Sequence, residues 1–234
     1  MSDMKNFFLF LKGDPQITRS AGIRPKLKLT ALMLPAMFFV IVISSLVQIL
    51  LVKWGIIGQV KSHGMIPDYM KPMSRLQIVL EIALLAPLLE ETAFRGFLQN
   101  NSAWFKTAVF SLSYLMICRI GGLNFYELNP LTGCILFVSA SSYLISERII
   151  IKMMYCLNQP YCRGILIWCS AFAFGLWHFY NFDFSGADLL TVMISLLPFI
   201  INGLILSYVT VKNGLLWSIF LHASNNIWPL ILWL

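Results

Sequence analysis

Charge is what this sequence has least of. Only 12% of its 234 residues are Asp, Glu, Lys or Arg, against roughly 25% in an ordinary soluble domain. With 59% hydrophobic residues and a mean hydropathy of +0.78, a water-soluble globule is excluded. The apolar stretches show no alternation of apolar and polar positions, which excludes a transmembrane barrel. No Cys-x-x-Cys occurs among the five cysteines, so a thiolate zinc site is excluded. Cys156 and Cys162 fall in a segment expected in the cytoplasm, where disulfides are disfavoured. There is no His-Glu-x-x-His, no internal repeat and no low-complexity tract, and no polar stretch is long enough for a separate soluble domain.

What the chain does have is apolar runs near twenty residues, each long enough to cross about 30 Å of hydrocarbon as a helix. Seven can be drawn, at 29–52, 76–98, 103–120, 130–145, 166–182, 189–211 and 215–233. The expected fold is therefore an all-α polytopic membrane helical bundle of about seven transmembrane helices, within a range of six to eight. Residues 1–28 are expected to form a basic, partly amphipathic cytoplasmic segment, and 29–234 a single transmembrane domain. The run "FFLFL", residues 7–11, is too short for a span. It lacks the cleavage site of a removable signal peptide and reads as an amphipathic stretch lying on the membrane surface.

The net charge of +7 does not imply nucleic-acid binding, because membrane proteins gather Lys and Arg in cytoplasmic loops. With the N-terminus inside, the cytoplasmic segments hold Lys5, Lys12, Arg19, Arg24, Lys26, Lys28, Lys106, Arg148, Lys152, Arg163 and Lys212. The outer segments hold Lys53, Lys61, Lys71, Arg75 and Arg119 together with Glu127, Asp183 and Asp188. The split favours N-inside and C-outside, with the basic first loop counting against it.

In this oily chain the stretch "PLLEETAFRGFLQ", residues 87–99, is out of place. An ionised side chain at mid-membrane costs about 2.5–3.5 kcal/mol on insertion scales. Glu91 and Arg95 are four apart on one helical face and can pair within the helix. Glu90 is turned about 100° from Glu91, so it needs a partner or a water-filled cavity supplied by another helix. Two of the three histidines also fall inside spans: His178 in "FAFGLWHFYNF" and His222 in "WSIFLHASNNIW". Asn226 follows His222 by four residues and shares its face. A carboxylate and imidazoles in a partly dry interior are a set suited to proton transfer at neutral pH. A structural ion pair beside one protonated glutamate is the plainer alternative. The surrounding aromatics in "LWHFYNF" read as an interfacial belt with Trp177 and Tyr180 as anchors. Pro35 and Pro198 read as kinks, and Asn202 as a further candidate for the cavity wall.

These residues resemble a known family. "EETAFR", "FGLWH" and "HASNN" fit Glu-Glu-x-x-x-Arg, Phe-x-x-x-His and His-x-x-x-Asn, in that order. They are similar to the motifs of the CAAX protease and bacteriocin-processing (Abi) family of intramembrane endopeptidases, which includes the eukaryotic Ras-converting endopeptidase. The resemblance implies hydrolysis of a peptide bond by an activated water. On it, Glu90 and His178 would hold and deprotonate the water, and His222 and Asn226 would stabilise the oxyanion. Glu91 paired to Arg95 would fix the helix and its electrostatics. It leaves open a divalent metal such as zinc held by Glu90, His178 and His222, or a metal-free glutamate mechanism. The implied partners are a peptide or protein substrate, membrane-associated or not, and the lipid bilayer. The implied location is a bacterial cytoplasmic membrane. The chain departs from the family in the 88 residues from Glu90 to His178, which contain two extra hydrophobic segments. A non-proteolytic scaffold or immunity protein and a proton-coupled transporter are the rival functions.

Two spatial expectations follow. Glu90, His178, His222 and Asn226 should face one interior cavity, since each is costly against lipid. For His178 to reach the depth of the others, residues 149–165 should be an interfacial element and the next helix should enter the hydrocarbon near Trp168. The cavity should then open toward the N-terminal, cytoplasmic side.

Overall fold

The structure is a computed structural model that describes residues 2–14, 19–63, 73–127 and 129–233; Lys71 lies outside the described residues. Ten α-helices carry the fold among them. They are α1 (Ser2–Leu11), α2 (Ile23–Lys53), α3 (Arg75–Leu80), α4 (Ala86–Arg95), α5 (Ser102–Ile120), α6 (Pro130–Ala140), α7 (Glu147–Leu157), α8 (Pro160–Trp177), α9 (Leu189–Asn213) and α10 (Leu215–Trp233). A two-residue strand pair, β1 (Lys61–Ser62) and β2 (Phe182–Asp183), is antiparallel. Composition chooses helix because buried strands would leave backbone groups unpaired in lipid, whereas a helix satisfies its own.

By length and composition, α2, α9 and the continuous segment Pro160–Asn181 can each cross a membrane, and a bent pair can count as a fourth span. That pair is Pro130–Leu144 with Glu147–Leu157, bent by 83°. The chain is thus a polytopic helical bundle. Side chains such as Phe137 and Leu144, more than four-fifths exposed, suit a lipid surface and not water.

Helix ends are set by local chemistry. The Asn129 side chain accepts from the Thr132 N–H and caps α6, with Pro130 at its first position. Asp188 caps α9 through the Thr191 N–H at 2.7 Å. The α9 helix then stops at Gly214, whose φ of 101° is open to glycine alone. At the other start, Ser74 and Gln77 form a capping box on α3.

Between α3 and α4 lies a single π-turn, Glu81–Leu85. The Ala86 N–H reaches back to the Glu81 carbonyl, so it is lost to Ile82. The next N–H in a π pattern would come from Pro87, which has none. The Ile82 carbonyl is therefore left over, and the Asn226 amide of α10 donates to it at 3.0 Å. One proline thus both bends the ladder and creates a docking point for another helix.

The N-terminal helix α1 docks on the bundle: Phe10 is fully buried in a cluster with Leu98, Ile167, Leu204 and Tyr208. Its ring packs edge-on against Tyr208 at 5.3 Å between centroids. The approach is close because Gly13, at φ 72°, lets the chain come against the backbone of Gly164 and Pro160, where a Cβ would collide. Helix α8 begins at Pro160, within the stretch expected to be interfacial. Residues 147–157 do form a separate helix set sharply across their neighbour.

Candidate active site

The two glutamates occupy different worlds. Glu91 and Arg95 are fully buried, and Arg95 Nη1 donates to Glu91 Oε1 at 3.0 Å. The guanidinium is held further by the Gly203 carbonyl at 3.4 Å and by the face of Phe174, 4.0 Å from the ring centroid. Glycine at 203 is what admits it, since a Cβ there would lie 3.3 Å from Arg95 Nη2 and 3.1 Å from the backbone of Ala171.

Glu90 finds its partners on other helices. The Trp177 indole N–H donates to Oε1 at 3.1 Å, and His222 Nε2 lies 3.9 Å from Oε2. His222 Nδ1 sits 2.9 Å from Glu91 Oε1, so α10 closes over both carboxylates. On α8, His178 Nδ1 is 2.8 Å from the Phe174 carbonyl, and its ring stacks on Phe199 at 4.3 Å. A carbonyl only accepts, so His178 carries its proton on Nδ1. An ionised Glu91 imposes the same tautomer on His222. Each ring is left with an unprotonated Nε2. The Phe174 ring stands between them, 4.6 Å from His178 and 5.5 Å from His222.

A cavity of about 600 Å³ is lined by Ile82, Ala86 and Glu90 along one helical face, by Trp177 and His178, and by Arg119. Its remaining wall comes from residues 122–126 and 180–181. These follow the ends of α5 and α8, on the same side as the β1–β2 pair. The opposite end of the bundle holds the N-terminal segment, where Arg19 bonds to Gln99 and Asn213 to the Lys26 carbonyl.

The sequence-derived set is thus largely brought together, with corrections. Glu90 and His178 line the cavity and His222 lies just behind Glu90. Asn226 is not on the wall, because its amide is given to Ile82. Asn202 is buried and also absent from the wall. The cavity opens at the end away from the N-terminal segment, contrary to expectation. The reason is that the wall follows Glu90, Ala86 and Ile82 back toward the start of their helix and away from Leu98. Trp177, read as an interfacial anchor, is instead a hydrogen-bond donor to Glu90. The available signal was its position beside His178, since an indole N–H within a bundle needs an acceptor. Arg119 was read only as a loop charge.

Free Nε2 atoms with Nδ1 tied to a carbonyl or carboxylate suit a base or a metal ligand alike. Among the described residues, however, no three His, Cys, Asp or Glu side chains form a group that could hold a metal ion. The expected Glu90, His178 and His222 ligand set does not fit a metal in this arrangement, and no step is drawn through one.

The pattern of the type II CAAX prenyl endopeptidase Rce1-like family matches residues 72–228. No curated protein and no solved structure matches the chain.

Proposed function

Because the chain belongs to the type II CAAX prenyl endopeptidase Rce1-like family, we propose that it hydrolyses a peptide bond at Glu90, using a water drawn from the 600 Å³ cavity. Membership carries the coarse reading, a membrane-embedded CAAX-protease-like endopeptidase. The finer reading rests on one observation: Glu90 faces the cavity while Trp177 fixes one of its oxygens and His222 approaches the other.

In this reading Glu90 Oε2 takes a proton from the water, whose oxygen attacks the scissile carbonyl carbon. His178 orients that water through its free Nε2. The family's pattern assigns the oxyanion to Asn226 and His222; in this arrangement both stand behind the cavity wall, Asn226 on the Ile82 carbonyl and His222 behind Glu90, so this role requires both side chains to turn toward the bound substrate. Such donors are worth about 2.7–4 kcal/mol each in other proteases. Glu90 then returns the proton to the leaving nitrogen as the C–N bond breaks. Glu91 and Arg95 do not touch the substrate; they hold α4 and aim His222.

The substrate is a peptide or a membrane-associated protein. The segments 75–98, 102–120 and 215–233 cross the bilayer with the apolar helices already described, making about seven spans, with the N-terminal segment inside. The test is cleavage of a quenched peptide library by the purified chain in detergent. Glu90→Gln should abolish turnover while the protein stays folded and monodisperse. Full activity in that variant removes Glu90 as the base.

A further inference from the structure

At the end of the bundle away from the Glu90 cavity lies a smaller cavity of about 250 Å³. Two arginines line it, Arg19 from the segment between α1 and α2 and Arg163 from the first turn of α8. Each guanidinium is aimed by a neutral amide. Arg19 Nη2 donates to Gln99 Oε1 at 2.7 Å, and Arg163 Nη1 donates to Asn158 Oδ1 at 2.7 Å. Asn158 in turn donates to Asn100 Oδ1 at 3.3 Å, and both asparagines stand on the cavity wall. Arginine offers several N–H donors, and these bonds engage one nitrogen of each. Among the described residues Asp14 is the single carboxylate on the wall, so two positive charges face one negative.

Like charges across so small a space repel, and a flexible arginine stem lets each head turn to water instead. Held together, the two planar forks match the oxygens of a phosphate. The volume falls below the 300–1,000 Å³ or so of sites that enclose a drug-sized ligand, which suits a group of phosphate size and not a peptide. Depth points the same way. The segment Pro160–Asn181 can cross a membrane, and Arg163 lies in its first turn. Tyr161 and Trp168 on the same helix are exposed, and such aromatics gather at headgroup level. Residues 19–28 add Arg24, Lys26 and Lys28 and contain no Asp or Glu, a composition that draws anionic lipid surfaces.

We propose that Arg19 and Arg163 bind a phosphate group and that this group ties the N-terminal segment to α8. Its sources are the headgroup of an anionic phospholipid or free phosphate, which share the chemistry that the pair recognises. Gly13 already brings the end of α1 against Gly164, the neighbour of Arg163, so a bound phosphate closes a second contact beside the first. The site stands whether or not Glu90 is the base.

The experiment follows the thermal unfolding midpoint of the full chain in a neutral detergent, because a ligand of the folded state raises it by mass action. The probes are short-chain phosphatidylglycerol, short-chain phosphatidylcholine and inorganic phosphate. An anionic probe should raise the midpoint of wild type saturably, and phosphatidylcholine should not. Whichever of phosphatidylglycerol and inorganic phosphate acts at the lower concentration identifies the source. Arg19→Gln and Arg163→Gln should each weaken that binding about tenfold or more, the scale of one charged hydrogen bond. Arg148→Gln, at an exposed position of α7, should leave it unchanged. Asn100→Asp keeps the acceptor for Asn158 and adds a negative charge to the wall, so it should abolish binding with both arginines in place. Each variant is compared with its own midpoint before the probe is added. No saturable rise with either anionic probe in wild type overturns the proposal, and that arm needs no variant to fold. Equal weakening by Arg148→Gln and Arg163→Gln also overturns it, because general surface charge would then hold the anion.

Discussion

Trp177 is the residue on which the candidate site turns. An indole N–H has no acceptor in lipid, and Glu90 has few donors inside a bundle, so the pair solves both problems with one bond of 3.1 Å. Hydrogen bonds to charged groups contribute about 1.5–3 kcal/mol. Trp177→Phe keeps most of the ring and removes only the donor. It should leave a folded protein whose kcat/KM falls about tenfold or more, measured on the peptide that wild type cleaves best. Unchanged activity would mean that Glu90 is positioned by His222 alone. At this scale the sequence was a good guide to Glu91 and Arg95, since four residues on a helix guarantee adjacency. It was a poor guide to Trp177, because an aromatic next to a histidine reads equally well as a membrane-interface anchor. It was poorest for Arg119, whose place on the cavity wall depends on three rings brought in from residues 125, 177 and 180.

At the scale of elements, the π-turn before α4 explains why Asn226 is where it is. Pro87 leaves the Ile82 carbonyl without a helical donor, and α10 supplies one. The His-x-x-x-Asn spacing thereby fixes two things at once: His222 over the carboxylates and Asn226 on the turn that leads into them. Asn226→Ala leaves that carbonyl unsatisfied, at a cost of about 1–3 kcal/mol. The expected result is a lower midpoint of unfolding in detergent and a loss of turnover together. Lost turnover at an unchanged midpoint would mark Asn226 as an oxyanion donor with no supporting role. The helices themselves were legible, because apolar runs bounded by Asn129, Asp188 and Gly214 state their own ends. The π-turn was not, since nothing in a run of Leu, Ala and Pro distinguishes a five-residue from a four-residue hydrogen-bond ring. The docking of α1 was hidden for a related reason. It depends on a backbone approach between Gly13 and Gly164, and sequence spacing carries no record of distance across 151 residues (164 less 13).

For the whole molecule, the cavity's mouth lies at the end of the bundle that carries β1, β2 and residues 122–126. With the charge-based orientation that end faces outward. A cysteine placed at Asn181 in a variant lacking the native five should then react with an impermeant maleimide from outside intact cells, and one at Asn100 should not. The reverse pattern would invert the orientation while leaving the site geometry untouched. The bundle as such was legible from composition, because the bilayer permits few alternatives. Which end opens was not, since it depends on how the face of Ile82, Ala86 and Glu90 meets residues brought from elsewhere.

The bond between His222 and Glu91 spans 131 residues of chain, and the one between Trp177 and Glu90 spans 87. Chains grow at about 5–20 residues per second, so α4 waits roughly 4–17 s for its tryptophan and roughly 7–26 s for its histidine. If α4 and α10 cross the bilayer as proposed, Glu90 spends that interval without the donors it later finds, while Glu91 already has Arg95. On that reading the helix is sheltered at the insertion machinery or at the aqueous interface until α10 arrives. A chain ending at residue 213 should therefore be cleared rapidly in a pulse-chase experiment. The same truncation carrying Glu90→Gln, Glu91→Met and Arg95→Leu should persist, because its α4 has nothing left to wait for. Equal lifetimes for the two truncated chains would show that the glutamates and arginine enter the membrane unaided.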